Sequence, residues 1–196
     1  MHQLLLATRN PHKTREFAEI LGDGFKVRDL TGVADLPAIA ETGLTFEANA
    51  ILKAVEASRH FDELVVADDS GLEVDILRGA PGIHSARYAG EHATDEANVA
   101  RLLAELVRHH PFPHSARFRC SLALAQRGRV LKTFDGVVEG TIVGTPRGRG
   151  GFGYDPVFQP LGFEQTFGEL STAEKNRISH RARAIRLLRA ALLAKF

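Results

Sequence analysis

Two adjacent acids, a hydroxyl and a glycine, Asp68-Asp69-Ser70-Gly71, have the types and spacing that best suit chemistry. The apolar run Leu64-Val65-Val66-Ala67 comes directly before them and predicts a strand buried on both faces. Acids at the carboxyl end of such a strand lie where open α/β sheets bind ligands. Neighbouring carboxylates repel unless a cation neutralises them, and Mg²⁺ is commonly bound through one or two carboxylates. The same residues also favour a plain turn, so the motif alone leaves both interpretations open.

A second candidate site lies near the N-terminus, at a predicted junction between a strand and a helix. Gln3 to Ala7 predicts a short buried strand, and a helix is predicted from Pro11 to Leu21 with Asn10 as its N-cap. Backbone N–H groups at the start of this helix, together with the Lys13 ammonium, could bind phosphate. The segment is not a Walker loop, and polar residues are common at any such junction.

The third candidate is the glycine-rich segment from Gly144 to Pro156. Five glycines in ten residues would let the backbone approach a ligand closely. Phe152 and Tyr154 are flanked by glycine and follow neither a strand nor a helix period. An aromatic side chain beside Asp155 suits a stacked base with a hydrogen-bonding partner. An exposed hairpin loop is an equally good interpretation.

The rest of the chain predicts alternating strands and helices. Asn49, Lys53 and Glu56 share one face of a predicted helix, which we interpret as solvated. The other predicted elements are a strand at Phe25–Asp29, a loop from Leu36 to Ala40, a helix from Phe46 to about His60, a strand from Leu72 to Leu77, a helix from Thr94 to about His109, a hairpin formed by Ala116–Ala125 and Val130–Val138, and terminal helices after a capping box at Ser171-Thr172-Ala173-Glu174.

Composition indicates an ordinary globular protein of 196 residues, with 44% hydrophobic residues, 25% charged residues and a net charge of +1. We expect one domain spanning 1–196, since no linker or repeat is visible. Cys120 is the only cysteine, which excludes an internal disulfide, and we interpret it as a buried strand residue. The short apolar N-terminal run and the lack of a membrane span favour the cytoplasm.

Two groups of basic residues are interpreted as solvated surface. The histidines His109, His110 and His114 lie in a proline-bearing connection without ordered metal-ligand spacing. The arginines of the last helix, Arg183, Arg186 and Arg189, are scattered rather than interleaved with aromatic residues, so we expect no nucleic-acid partner.

Eight segments in chain order together resemble the non-canonical purine nucleoside triphosphate pyrophosphatases, the inosine triphosphatase family. They span nearly the whole chain: Thr8-x-Asn10-x-x-Lys13, Glu41-Thr42-Gly43, Phe46-x-x-Asn49-Ala50-x-x-Lys53, Asp68-Asp69-Ser70-Gly71, Gly79-Ala80-Pro81-Gly82, Ser85-Ala86-Arg87-Tyr88, Gly151-Phe152-Gly153-Tyr154-Asp155-Pro156 and Glu174-Lys175-Asn176-x-Ile178-Ser179-His180-Arg181.

The resemblance implies an elongated, two-lobed α/β fold with a long twisted mixed β-sheet flanked by helices and the active site in the cleft between the lobes. It also implies a homodimer. The implied reaction is Mg²⁺-dependent hydrolysis of ITP, dITP and XTP to the nucleoside monophosphate and pyrophosphate, which cleanses the nucleotide pool.

The resemblance also implies roles for individual residues. Asp69 would be the general base and a metal ligand, with Glu41 as the companion carboxylate. The implied triphosphate-binding residues are Thr8, Arg9, Asn10, Pro11, His12, Lys13, Lys53 and Ser70. The implied binders of the base and nearby phosphate are Phe152, Gly153, Tyr154, Asp155, Lys175, His180 and Arg181, with the Arg181 fork addressing the 6-oxo group of hypoxanthine or xanthine. One departure is Arg9, because the family usually has glycine there.

Two other interpretations of the function remain open from the sequence. A related pyrophosphatase could act on other modified or pyrimidine nucleoside triphosphates, including dUTP-like substrates, because paired aspartates would serve either reaction. A catalytically inert nucleotide-binding module is disfavoured by the simultaneous presence of Glu41, Asp69 and Lys13, since pure binding needs no carboxylate to activate water.

Overall fold

The computed structural model describes residues 2–33, 36 and 39–195. The predicted loop from Leu36 to Ala40 therefore falls partly on Pro37 and Ala38, which lie outside the described residues. The strands are β1 (His2–Leu6), β2 (Phe25–Asp29), β3 (Val65–Val74), β4 (His114–Gln126), β5 (Arg129–Ile142) and β6 (Phe158–Pro160). The helices are α1 (Pro11–Leu21), α2 (Phe46–Ser58), α3 (Asp95–Leu106), α4 (Thr172–Ile178) and α5 (His180–Leu193).

The strands form one sheet in the order β2-β1-β3-β4-β5-β6. β1 pairs in parallel with both β2 and β3, and β5 pairs antiparallel with β6. The neighbouring strands β4 and β5 are joined by only Arg127 and Gly128, a connection that antiparallel strands alone can make. The predicted α/β fold with a mixed sheet and helices is confirmed.

The starts of α1, α2, α3 and α4 follow the sequence closely, because a side chain satisfies free N–H groups of the first turn in each of these four helices. The predicted caps Asn10 and Ser171 accept hydrogen bonds from the backbone of the first turn, and so does Thr94, where the third helix was predicted to begin. Ser171 and Glu174 form the predicted capping box. None of the helices in the described part of the chain combines the length and the apolar composition that a membrane span needs.

The chain divides into two compact units. The first contains the residues up to Asp69, Cys120–Gly136 and the residues from Arg181 onward. The second contains Ser70–Arg119 and Val137–His180, so both of its segments are insertions in the sequence of the first.

The first unit has a hydrophobic core on each face of its strands. One core combines Leu4, Leu6 and Val66 with apolar residues of α1 and α5, while the other combines Leu5 and Val65 with alanines of α2. Successive strand side chains point to opposite faces, so within the first unit the even-numbered residues of β3 lie on the same face as Val66, which packs against α1 and α5. The alternation therefore assigns Asp68 to the face of α1 and α5, and Asp69 to the face of α2.

This alternation explains one error in the sequence interpretation. Asp68-Asp69-Ser70-Gly71 was expected to follow a strand, with a second strand from Leu72, but β3 runs without interruption from Val65 to Val74. Two adjacent acids can remain inside a strand because their side chains diverge and each meets its own cations.

The second unit has an aromatic core. Phe118 of β4 packs on Phe158 of β6, with ring centroids 4.7 Å apart, and on Phe167 at 6.1 Å. Leu102 and Leu106 of α3 complete this core. His114 was expected at the surface with His109 and His110, but it is buried, with its ring edge-on to Phe112. It differs from the other two because it begins β4, whose alternate side chains point into the core.

Phe17 tests the α1 core. Its side chain is fully buried, so Phe17→Ala should lower the free energy of unfolding by about 3–5 kcal/mol through lost burial and a cavity. Leu44→Ala is the control, since Leu44 is 89% exposed and should change the stability by less than about 0.5 kcal/mol. Urea unfolding followed by circular dichroism measures both, and similar losses for the two variants would contradict this core.

Candidate active site

Asp68 is a fully buried carboxylate surrounded by donors of the first unit. Its Oδ2 atom accepts a hydrogen bond from Nε of Arg181 at 2.9 Å and lies 3.2 Å from Sγ of Cys120. Its Oδ1 atom accepts from Nζ of Lys13 on α1. Burial alone raises the pKa of Asp68, but Arg181 and Lys13 outweigh it and keep the pKa well below the ordinary value. Asp68 is therefore held as an anion between two cations.

Arg181 lies deeper than the sequence suggested. It is 2% exposed, and its Nη1 atom donates to Oε2 of Glu16 on α1 at 2.6 Å. With Asp68 on Nε, the fork that the sequence analysis assigned to the base 6-oxo group points at two carboxylates of the first unit. Two of the donors of the guanidinium are therefore used by protein carboxylates, and the role of Arg181 towards the base stays a prediction. Cys120 is confirmed as a buried strand residue.

Asp69 belongs to a separate cluster with residues of α2. Oδ1 of Asp69 accepts from Nζ of Lys53 at 2.8 Å, and Oδ2 accepts from Nδ2 of Asn49 at 3.2 Å. Lys53 also donates to Oε1 of Glu41 at 2.9 Å, so the two carboxylates meet at one ammonium. Burial raises the pKa of Asp69 more than Lys53 lowers it.

The α2 face that carries Asn49 and Lys53 was interpreted as solvated, and this is wrong. Asn49 is completely buried, and its Oδ1 atom accepts from the backbone N–H of Gly43 at 2.8 Å. A Cβ atom at Gly43 would lie 2.7 Å from that same oxygen, which explains the glycine. Helical spacing alone could not reveal that this polar face would pack on an acid of β3.

The Glu41–Asp69 pair has the chemistry that Mg²⁺ requires. Both carboxylates lie within hydrogen-bonding distance of the same nitrogen, so their oxygens are close together. Among the residues that the structure describes, no group of three or more histidine, cysteine, aspartate or glutamate side chains could hold a metal ion. Two carboxylates suit Mg²⁺, which takes its remaining ligands from water and substrate phosphate. The residues present therefore fit the expected metal.

The Thr8–Lys13 segment is organised by Asn10. The Asn10 side chain accepts hydrogen bonds from the backbone N–H groups of His12 and Lys13, and Pro11 has no N–H group to donate. The helix cap therefore uses the backbone donors that we expected to bind phosphate. The Asn10 N–H donates to Oγ1 of Thr8 at 3.1 Å.

Arg9 takes the place of the usual glycine, and its side chain bonds to backbone outside this turn. Its Nη2 atom donates to the backbone oxygen of Leu36 at 2.6 Å. The Arg9 side chain therefore binds protein backbone within the first unit.

In the second unit, Asp155 organises the glycine-rich loop. Its Oδ2 atom accepts from Nζ of Lys175 at 2.6 Å and from the backbone N–H of Phe152 at 2.8 Å. Gly151 has φ +73°, and a Cβ there would lie 1.9 Å from the same oxygen. The loop thus folds tightly around one buried ion pair.

The aromatic residues of this loop differ in exposure. Phe152 is half-buried, with Nζ of Lys175 4.6 Å from its ring centroid, so one part of the ring remains accessible. Tyr154 is buried, and its hydroxyl donates to the backbone oxygen of Ser85 at 2.8 Å. His180 is also buried and stacks on Phe118 with centroids 4.7 Å apart. Phe152 is therefore the better stacking surface, while Tyr154 and His180 pack the core.

Sequence reasoning assigned no individual site role to three residues. Asp95, at the start of α3, accepts from the backbone N–H of Gly153 at 2.6 Å. A cavity of about 530 Å³ borders this contact, lined by α3 and by loop residues that include Phe152. Asp68 and Glu16 also had no individual role assigned. The only signal for Glu16 in the sequence was its position three residues after Lys13, which places both on one side of a helix.

The Asp155–Lys175 pair can be tested by stability. Asp155→Asn keeps the acceptor shape but leaves the buried Lys175 ammonium without its countercharge, and should lower the free energy of unfolding by about 3–5 kcal/mol. Adding Lys175→Met should recover part of this loss, because both charges are then gone. Urea unfolding measures both variants, and a double variant that is less stable than Asp155→Asn would contradict the pair.

Known proteins resemble this chain over almost its whole length. The Ham1 family model matches residues 4–191. The chain is 50% identical over 193 residues to the dITP/XTP pyrophosphatase of Bacillus licheniformis, covering 98% of each protein. It is 48% identical over 191 residues to the dITP/XTP pyrophosphatase of Streptomyces avermitilis, covering 96% of each.

Solved structures give the same result. The Staphylococcus aureus Ham1 protein has a TM-score of 0.86 at 39% identity, covering 99% of this chain and 100% of that one. A HAM1 protein from Coxiella burnetii has a TM-score of 0.88 at 39% identity, with the same coverage. The resemblance found from the eight motifs is confirmed, and the chain belongs to the Ham1 family.

Proposed function

We propose that this chain, a nucleoside triphosphate pyrophosphatase of the Ham1 family, hydrolyses ITP, dITP and XTP to the nucleoside monophosphate and pyrophosphate with Mg²⁺. The observation that carries the proposal is the convergence of Glu41 and Asp69 on the Lys53 ammonium. The names of the two bacterial relatives support dITP and XTP as substrates. An alternative is hydrolysis of other modified or pyrimidine nucleoside triphosphates, which the same carboxylates would serve.

The carboxylate pair is the proposed metal site. Mg²⁺ held by Glu41 and Asp69 would neutralise phosphate oxygens and offset the charge that develops at the α-phosphorus. Lys53 lies at the same point and would contribute a second positive charge to the triphosphate.

Asp69 is the proposed general base. It would accept the proton of the attacking water at a carboxylate oxygen, which contributes on the order of 10²–10⁴-fold to the rate. Asn49 supports this role because its bond to Oδ2 fixes the plane of the carboxylate. Ser70 follows Asp69 in β3, and its hydroxyl is a proposed phosphate ligand.

Lys13 is the proposed contact to the leaving pyrophosphate. Its side chain is 17% exposed, so the ammonium can reach a ligand from its position beside Asp68. Thr8 and Asn10 would contribute to the same phosphate site through the turn that they form.

Phe152 is the proposed stacking surface for the base. Hypoxanthine and xanthine carry a 6-oxo acceptor where adenine carries an amino group. A protein donor aimed at that position would face the adenine amino group, and such a buried unpaired contact costs about 1–3 kcal/mol. The proposed preference over ATP follows from this mismatch.

The product distinguishes this reaction from other triphosphate hydrolyses. A panel of ITP, dITP, XTP, ATP, GTP and dUTP with Mg²⁺ should release pyrophosphate from the first three, with orthophosphate and pyrophosphate assayed separately. Orthophosphate as the first product would contradict cleavage between the α- and β-phosphates. Faster hydrolysis of dUTP than of dITP would favour the alternative.

Two amide variants separate the proposed roles of the carboxylates. Asp69→Asn cannot accept a proton and should lower kcat about 10²–10⁴-fold with the fold intact. Glu41→Gln should raise the Mg²⁺ concentration that gives half-maximal rate, because one anionic ligand is lost. Asp62→Asn is the control, since its side chain is 96% exposed. A loss below about tenfold for Asp69→Asn would exclude the general base, and an unchanged Mg²⁺ titration would remove Glu41 from the metal site.

A further inference from the structure

Four charged side chains of the first unit form a continuous series that no sequence motif contains. Glu16 bonds Arg181, Arg181 bonds Asp68, and Asp68 bonds Lys13. The side chains of Arg181 and Asp68 are almost completely inaccessible, whereas Lys13 at the end of the series is 17% exposed. The series thus leads from the interior to a residue that can meet a ligand.

The two ends of the series lie on the same helix. Lys13 and Glu16 are three residues apart on α1, so they occupy one side of a helical turn. With the helix backbone, the four side chains close a ring in which each ion pair restricts the next. Arg181 suits the central position because its planar fork can bind two carboxylates at fixed angles.

The ring has a consequence for Lys13. A lysine ammonium sits on a flexible four-carbon stem, and holding it in one place loses side-chain entropy. Asp68 confines this ammonium before any ligand arrives, and Asp68 is itself fixed by Arg181. Groups held in their binding geometry in advance bind and react better than mobile ones.

We propose that Glu16 is a positioning residue that acts on Lys13 through Arg181 and Asp68. This inference rests on the proposed function only in taking phosphate as the ligand of Lys13. Glu16 orients Arg181, Arg181 aims Asp68, and Asp68 presents the Lys13 ammonium to the leaving pyrophosphate. Without the Glu16 charge, Arg181 shifts towards Asp68. Asp68 then holds the Lys13 ammonium less firmly.

A double-mutant cycle tests the coupling. In the full-length enzyme with dITP and Mg²⁺, Glu16→Gln should lower kcat/KM about tenfold, but less than about twofold when Lys13→Met is already present. The matched control is Glu19→Gln, which changes an exposed glutamate on the same helix. It should leave kcat/KM unchanged in the wild-type and in the Lys13→Met background. An equal loss from Glu16→Gln in both backgrounds would overturn the proposal, because Glu16 would then act without Lys13.

A second readout is independent of catalysis. Reductive methylation of lysines, quantified by peptide mass spectrometry, should label Lys13 severalfold faster in Glu16→Gln than in the wild type, with exposed Lys26 as the internal reference. Unchanged Lys13 labelling would overturn the proposal. If the wild type releases no pyrophosphate, the proposed function fails, and the labelling still decides the positioning role.

Folding is checked by thermal unfolding of each variant. If Glu16→Gln is unfolded at the assay temperature, Arg181→Lys replaces it, since lysine keeps the charge but cannot bridge two carboxylates at fixed angles. Arg181→Lys should give the same dependence on Lys13 in the cycle and the same faster labelling. Independence from Lys13 in this variant would overturn the proposal as well.

Discussion

The alternation of side chains along β3 is the constraint on which the first unit depends. Asp68 and Asp69 are adjacent in sequence, yet each faces a different layer of helices and meets different cations. Asp68 is neutralised by Lys13 and Arg181, and Asp69 by Lys53. If both carboxylates faced one side, their repulsion would raise the pKa of one of them strongly.

Each helix of the first unit contributes to one of the two charge clusters as well as to a core. α1 and α5 pack on the even-numbered strand residues and bring Glu16 and Arg181 to Asp68. α2 packs on the odd-numbered residues and brings Lys53 to Asp69. The apolar contacts determine where each helix lies, and its polar residues then meet the acid on that face.

Local sequence patterns predicted the helices and strands well. They predicted the contacts of buried polar residues poorly. Capping residues such as Thr94 act within one helical turn, so their effect is visible in the sequence. Asn49 was misjudged because its partner, Asp69, is 20 positions away, and the ion pair of Arg181 with Glu16 was not foreseen because Glu16 is 165 positions away. Such long-range pairs fix whether a polar face is solvated or buried, and spacing along one helix carries no information about them.

The central proposal is attack by water on the α-phosphorus, with Glu41 and Asp69 as the carboxylates that enable it. Hydrolysis of dITP in ¹⁸O-enriched water, with both products analysed by mass spectrometry, tests it most directly. Attack at the α-phosphorus predicts the label in the phosphate of the nucleoside monophosphate and unlabelled pyrophosphate. Label in the pyrophosphate would show attack at the β-phosphorus and would contradict the proposed reaction.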